Sequence, residues 1–302
     1  MLHVFIINSF AGKGDFSDRI RNKLEQIQGM EYLVFNSEYP GHESVLAGQI
    51  YELFTDEEIC FYSCGGSGTF RNIMKGLPDY DRARFVEVPC GGTNDFLAVF
   101  GKNRDNFNNF NNLIEGKTVG TDYIDSNLGP AHNTVSLGFD VELIRLMAKL
   151  RRFGFIAGNV SYAFAGICVL FLKSSFWAEV VVDGKDYRGA YEQITIANGS
   201  RLGGTFHLGK NNNPWDGSLD VIMFPKKNFF SKLRSFFLLM TGNEKKLSKY
   251  CIRIKASEVT IRMAGDETLI GNFDGEIEEG PYLHATVKKA GMSFVIPKGT
   301  EL

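Results

Sequence analysis

The sequence has no surplus of charge of one sign, no long apolar run and too few cysteines for a framework of bridges. Each lack removes a class of protein. Its 33 lysines and arginines against 35 aspartates and glutamates leave a formal charge of −2, so the strongly basic face of a duplex binder is missing and no nucleic-acid partner is expected. The longest apolar stretch, Val160 to Leu172, is broken by Ser161 and is shorter than the roughly 18–20 residues that span a bilayer. Met1 to Phe10 lacks the basic flank of a secretory signal. A cytoplasmic protein is expected, with at most peripheral contact at the inner membrane face. Cys60, Cys64, Cys90, Cys168 and Cys251 are odd in number and lack zinc-site spacing, so most read as buried reduced thiols. Two familiar phosphate-binding patterns are also missing: no GxxxxGKS/T occurs, and no GxGxxG follows the first strand-like run.

What is present is the composition of a folded globular protein, 44% hydrophobic and 23% charged, at a length that suits two domains. The first third alternates. A strand-like run at 2–7 is followed by helical spacing through Phe16, Ile20, Leu24 and Ile27. Then come a helical pattern over 43–54, a strand at 59–63, a helix over 70–77, a strand at 84–88 and a helix from about Asn94. Alternation of this kind implies right-handed crossovers and a mostly parallel sheet, with working loops at the carboxyl ends of the strands. Residues 103–116 are Asn-rich and read as a covering helix, with Phe107, Phe110 and Leu113 or Ile114 on one face. Beyond residue 122, apart from helical stretches near 139–172 and 228–242, the chain becomes short period-two runs at 177–182, 187–196, 219–224, 251–263 and around Asp274-Gly275. These point to an antiparallel, sandwich-like β domain. The expected division is an α/β domain at 1–122 and a β-rich domain at 123–302, with a cleft between them.

Cys64-Gly65-Gly66-Ser67-Gly68-Thr69 follows a strand and opens a helix, so its backbone N–H groups can converge on an anion that the helix dipole also favours. A tight strand–helix turn that needs glycine only sterically is the alternative. A second glycine turn, Cys90-Gly91-Gly92-Thr93-Asn94-Asp95, also follows a strand, with Thr93 or Asn94 as a helix cap. Two such turns at neighbouring strand ends make one phosphate-binding cleft. Asn8-Ser9-Phe10-Ala11-Gly12-Lys13-Gly14 is a third loop of this kind, in which Lys13 is either a phosphate contact or a solvated lysine.

Gly65 to Leu77 resembles the GGDGTxNEVxNGL signature of the diacylglycerol kinase catalytic family, which includes bacterial lipid kinases and sphingosine kinases. Pro89 to Phe96 resembles its PxGTxNDFA element, and Asn8 to Gly14 its NPxSGxG opening. Asn133 to Asp140 resembles NxxSxGFDA, Asn198 to Gly204 NGxxxGG, Asp216 to Asp220 DGxLD, and Asp274-Gly275-Glu276 the DGE near the end. The resemblance implies an ATP-binding α/β domain, a β-rich domain that takes the lipid, and transfer of the γ-phosphate of ATP to a lipid hydroxyl. It implies Glu276 as the general base with Asp274 beside it, Asp216 and Asp220 as magnesium ligands, and Asp95 and Asp125 as organisers of the magnesium and nucleotide region. Each has a structural alternative: Asp-Gly is a strong hairpin signal, DGxLD can be a surface turn, and Asp95 or Asp125 can be a cap or a solvated loop residue.

The departures bear on turnover. Ser67 stands where the family has aspartate, and Arg71-Asn72 where it has Asn-Glu. A hydroxyl can donate to phosphate but lacks the negative charge a hard cation prefers. Arg71 is expected to bring positive charge towards the phosphates. Two further readings therefore stand beside the lipid kinase: an NAD kinase-like enzyme, because that related family shares the GGDGT-like loop, and a nucleotide- or lipid-binding homologue that has lost catalysis. Residues 142–155 and 225–237 each combine apolar and basic side chains. They suit either peripheral contact with an anionic bilayer or core helices with cations at the rim. A homodimer stays open.

Overall fold

Val4 to Ile7 are wholly buried, as a strand with neighbours on both edges and helices on both faces requires. This strand belongs to a computed structural model that describes residues 1–9, 16–27, 29–152, 159–171, 175–209, 212–265 and 267–301. The chain divides into unit 1, Met1–Thr121 with residues from Ala290 onward, and unit 2, Asp122–Lys289. The last stretch therefore departs from the expected division: residues from 290 pack with the α/β part, although they follow the β-rich part in sequence.

Unit 1 contains β1 (Leu2–Ile7), α1 (Ser17–Leu24), β2 (Tyr32–Asn36), α2 (His42–Leu53), β3 (Ile59–Gly65), α3 (Ser67–Gly76) and β4 (Ala83–Pro89). A kinked 3-10 segment, Asp95–Asn108, and α4 (Phe110–Ile114) follow, and β5 (Lys117–Ser126) leads out of the unit. The strands run parallel in the order β2-β1-β3-β4. The progression reverses between β1 and β3, and the carboxyl ends of such a pair are where open α/β sheets bind ligands. β2 carries no clear alternation because it is an edge strand with every residue half-buried. The expected covering helix at 103–116 is instead the end of the 3-10 segment plus α4, although Phe107, Phe110 and Leu113 are buried as its apolar face requires.

Unit 2 is antiparallel. Its elements are β6 (Thr134–Gly138), α5 (Phe139–Arg152), α6 (Asn159–Leu170), β7 (Phe176–Val182), β8 (Lys185–Asp186), β9 (Gly189–Ala197), β10 (Arg201–Leu202) and β11 (Phe206–His207). They continue with β12 (Leu219–Pro225), α7 (Phe229–Thr241), α8 (Glu244–Leu247), β13 (Ile252–Ala256), β14 (Glu258–Met263), β15 (Leu269–Phe273), β16 (Glu276–Gly280) and β17 (Leu283–Ile296). β9 pairs with β6, β7 and β12. β17 pairs with β14 in its first half and, beyond residue 290, runs parallel to β4 in unit 1. The single run expected at 251–263 is two strands, because the Asp183 carboxylate accepts the backbone N–H of Ser257 at 3.1 Å and of Glu258 at 2.9 Å and fixes a turn there. One core lies among the strands around Val135, Ile194, Val221 and Phe273; another joins the helices through Leu143, Met147, Ala165 and Phe236.

The cysteines are unbridged, and Cys60, Cys64 and Cys90 are buried. Burial pushes the Cys60 thiol up to about 12 and Cys64 well above its ordinary value, which makes both unreactive. No helix among the described residues is long and apolar enough to cross a membrane.

Candidate active site

The glycine turns of unit 1 touch backbone to backbone. A Cβ on Gly91 would stand 2.4 Å from Cα of Gly66, and one on Gly65 would meet the Thr69 hydroxyl at 2.3 Å, whereas Gly92 has open space around it. The N–H groups of Cys90 and Gly91 both donate to the Gly65 carbonyl, at 3.1 and 2.9 Å. α3 starts at Ser67, so the N–H groups of its first turn have no acceptor within the helix and point where an anion would lie. Asn8, at the end of β1, reaches across by donating Nδ2 to Thr69 Oγ1 at 3.0 Å. The expected residues Asn8, Gly65, Gly66, Ser67, Gly68, Thr69, Gly91, Gly92, Thr93, Asn94 and Asp95 thus gather at the β1, β3 and β4 carboxyl ends. Lys13 lies outside the described residues.

Two expectations change here. Asn94, at φ +47°, precedes the 3-10 segment without capping it; its Nδ2 donates instead to the Gly65 carbonyl at 2.9 Å and to the buried Glu87 carboxylate at 2.8 Å. It ties the two turns together from below. Arg71, expected to bring positive charge towards the phosphates, is buried, at only 1% exposed. Ser67 accepts the Asp95 N–H at 3.4 Å, so the substituted position links the two turns.

In unit 2, Asp274 and Gly275 form the expected two-residue hairpin between β15 and β16, with φ +52° and +106°. Asp274 does not stand open beside Glu276. Its carboxylate is fully buried and accepts backbone N–H groups from His132 at 2.7 Å, Asn133 at 3.2 Å and Thr134 at 2.7 Å, with His132 Nδ1 at 2.8 Å. Burial pushes this carboxyl up, but His132 and the backbone donors outweigh it and hold it below the ordinary range. Asp274 thus ties the hairpin to residues 132–134. Glu276 begins β16 on the exposed side of the hairpin.

Behind that turn, Asn272 accepts the Gly275 N–H at 2.8 Å and donates to Asp140 at 2.5 Å, and Ser136 donates to the same Asp140 oxygen. Burial raises the Asp140 carboxyl above its ordinary range. The motif asparagines are scaffolding as well: Asn198 donates to the Asp122 and His132 carbonyls at 2.7 and 2.8 Å, and Asn133 to the Arg201 carbonyl at 3.0 Å. Asp140 and Asn272 are functional candidates to which the sequence reading gave no role. The only signal for Asp140 was its place in the NxxSxGFDA resemblance.

The donor set of Asp216 and Asp220 does not fit a resident magnesium ion. Lys255 Nζ lies 2.6 Å from Asp216 Oδ2 and 3.8 Å from Asp220 Oδ2, and Arg253 Nη1 is 3.8 Å from Asp220. Asp216 also accepts the Ser218 N–H and hydroxyl. A hard dication needs open carboxylate oxygens; here an ammonium already neutralises them. The pair is not idle charge, because register places Asp220 directly opposite Lys255 across β12 and β13. Asp125 pairs with Lys288 at 3.4 Å, and the neighbouring Asp122 accepts the Gly217 N–H at 2.6 Å. No cluster of three metal-ligating side chains occurs among the described residues.

Unit 2 also holds a largely apolar pocket of about 60 Å³, walled by Phe139, Leu202, Phe206, Phe224, Phe236 and Leu239, with Asp140, Gln193 and Thr195 as polar lining. At its edge Lys232 pairs with Glu192 at 3.0 Å. Through Asn272, the Asp140 that lines this pocket is joined to the hairpin that presents Glu276.

The chain thus joins a parallel α/β unit with converging glycine turns to a β-rich unit that carries an acidic hairpin. Residues 3–125 match the diacylglycerol kinase catalytic domain, and residues 133–291 the YegS C-terminal NAD kinase beta sandwich-like domain. The chain belongs to the diacylglycerol kinase family of lipid kinases. Two curated relatives, each named "Putative lipid kinase", are 26% identical: a Staphylococcus haemolyticus protein over 83% of this chain and 80% of its own length, and a Staphylococcus carnosus protein over 59% and 57%. The match thus spans little more than half of the second relative. A crystal structure of a diacylglycerol kinase from Bacillus anthracis superposes with a TM-score of 0.68 over 99% of this chain and 98% of that one, at 16% identity, which is a likeness of fold.

Proposed function

We propose that the protein is an ATP-dependent lipid kinase that transfers the γ-phosphoryl group of ATP, with magnesium carried on the nucleotide, to the hydroxyl of diacylglycerol or a similar neutral lipid. The observation that carries this reading is the contact of the two glycine turns at the β1–β3 switch point, with Asn8 and Thr69 bridging towards β1. There the α3 amino terminus and the glycine N–H groups hold the phosphates. Glu276 accepts the proton of the lipid hydroxyl as that oxygen attacks the γ-phosphorus and the bond to the β-phosphate oxygen breaks. Asp274 and Asn272 fix the hairpin that aims Glu276. The apolar pocket takes the start of the acceptor's chain, and its small volume means that longer chains lie outside or part α7 from the sheet.

Ser67 favours a second reading, a homologue that binds nucleotide but turns over slowly, since its hydroxyl is engaged with the Asp95 N–H. Labelled ATP, magnesium and separate acceptors, offered to wild type, Glu276→Ala and Ser67→Asp, decide. Lipid product that vanishes with Glu276→Ala is expected, with a loss of two or more orders of magnitude on the scale of removing one preorganised group. Product only after Ser67→Asp supports the second reading, and phosphorylated NAD overturns both.

A further inference from the structure

Among the described residues, aromatic side chains stand in solvent at one end of unit 2. Phe171 is 71% exposed, Phe230 79%, Phe237 49% and Phe229 39%, with Ile167 at 41% on α6. They are not scattered: the Phe171 and Phe229 rings are 5.2 Å apart, and those of Phe229 and Phe230 6.1 Å. α7 is apolar on two faces. Phe236 and Leu239 turn inward to line the pocket, whereas Phe230 and Phe237 have no core to fill. A helix in a globular unit needs one apolar stripe; a second one marks an interaction surface.

The charges around this face have one dominant sign. Lys226, Lys227 and Arg234 are exposed on and just before α7, and Lys245, Lys246 and Lys249 on and after α8. The nearby carboxylates are Glu192, neutralised by Lys232 at 3.0 Å, and Glu244 at the start of α8. Aromatic rings ringed by cations match the interfacial zone of a bilayer that carries anionic headgroups. Residues 142–155, where described, follow the other alternative, a core helix with cations at its rim: Leu143 and Met147 are core, Arg145 and Lys149 are exposed, and the side chains from 150 to 155 lie outside the described residues.

We infer that the face formed by Phe171, Phe229, Phe230 and Phe237 with Lys226 and Arg234 docks on an anionic lipid bilayer. Leu170, Lys227, Ser231 and Phe236, which line the pocket, alternate in sequence with the residues of this face. A lipid leaving the bilayer there would enter the pocket without crossing water. The inference rests on the lipid-kinase reading for what the face delivers, but not for whether the face holds a membrane.

The test uses the full chain without nucleotide, co-sedimented with vesicles of phosphatidylcholine alone or mixed with phosphatidylglycerol. Binding to the anionic vesicles only, weakened by added salt and cut about tenfold or more by Phe230→Asp and again by Lys226→Glu, is the expected result. Circular dichroism and melting confirm that each variant folds, since neither residue is buried. Unchanged vesicle binding by folded Phe230→Asp and Phe171→Asp overturns the inference. So does sedimentation velocity showing a dimer that Phe230→Asp dissociates, with no binding to vesicles. Kinase activity enters separately: with an active enzyme, Phe230→Asp should slow phosphorylation of a vesicle-borne acceptor and spare a short-chain, water-dispersed one. If no acceptor is phosphorylated but vesicles still bind, the kinase reading fails and the docking face stands.

Discussion

Single residues show most sharply where this chain keeps its family's chemistry and where it has moved. Gly91 and Gly92 are adjacent and alike in sequence, yet a Cβ on Gly91 would overlap Gly66 whereas one on Gly92 would meet nothing within 4 Å. Gly91→Ala should force the two turns apart, costing about 1–3 kcal/mol of stability and weakening nucleotide binding. Gly92→Ala should leave the melting temperature near wild type. Equal effects in a thermal melt would show that the turns do not touch as described. Lys255 gives a second residue-scale test. Removing the ammonium in Lys255→Met leaves Asp216 without its paired cation and Asp220 with Arg253 alone. Trp215 adjoins Asp216, and only two tryptophans occur in the sequence. A magnesium-dependent change in tryptophan emission is expected in the variant and not in the wild type; a wild-type response at this pair would show that the lysine yields to the metal.

At the scale of elements, the hairpin that presents Glu276 is held by two carboxylates whose protonation is driven in opposite directions. Asp274 is held below the ordinary range, so what it contributes to stability is present above the unfolded-state value and is lost as acid titrates the folded carboxyl. Asp140 is raised by burial, so its contribution is complete below the ordinary value of 3.8 and is lost as pH climbs through the higher folded value. Asn at 140 keeps an oxygen for the Ser136 hydroxyl and the Asn272 amide but carries no charge. Relative to wild type, Asp140→Asn should therefore gain thermal stability as pH rises from 3.8 through the higher folded value; a difference that does not change with pH above 3.8 would show that burial does not raise this carboxyl.

How much of this was legible beforehand differed by element. β1, β3, β4 and the glycine turns announced themselves because buried parallel strands are continuous apolar runs and their turns need glycine. β2 stayed silent because an edge strand has no buried face to pattern. The Asp-Gly hairpin was readable, but not that Asp274 faces inward, since its partners at 132–134 lie some 140 positions away and only the register of β15 against β6 brings them together. Lys255 escaped for the same reason: its pairing with Asp220 exists only across β12 and β13. Asn94 looked like a cap because caps and inward-facing amides use the same residue, and only the buried Glu87 beside it decides between them.

For the whole molecule, the decisive feature is the route of the chain. Phe294 of β17 is fully buried in unit 1, 5.3 Å from the Phe96 ring and 6.0–6.2 Å from Phe70, Phe100 and Phe107. A fragment ending at residue 122 lacks that ring and the strand beside β4. It should melt with low cooperativity and bind a hydrophobic dye, whereas residues 1–121 joined by a flexible linker to 290–302 should regain a sharp transition. A cooperative melt for the short fragment would show that β17 is dispensable.

The return of β17 also sets an order of assembly during synthesis. The β-rich unit is encoded between the two segments that make the α/β unit, so it is synthesised before the final strand of its partner. The first 121 residues emerge earliest but must wait, incomplete, with the hole meant for Phe294 still unfilled, until after Leu283 and Ala285 on the same strand have completed the core of the later-made unit. In this chain the part that emerges first is the part that finishes last, the reverse of the usual amino-terminal-first sequence of domain folding, and its exposed β4 edge is the place where premature association would begin.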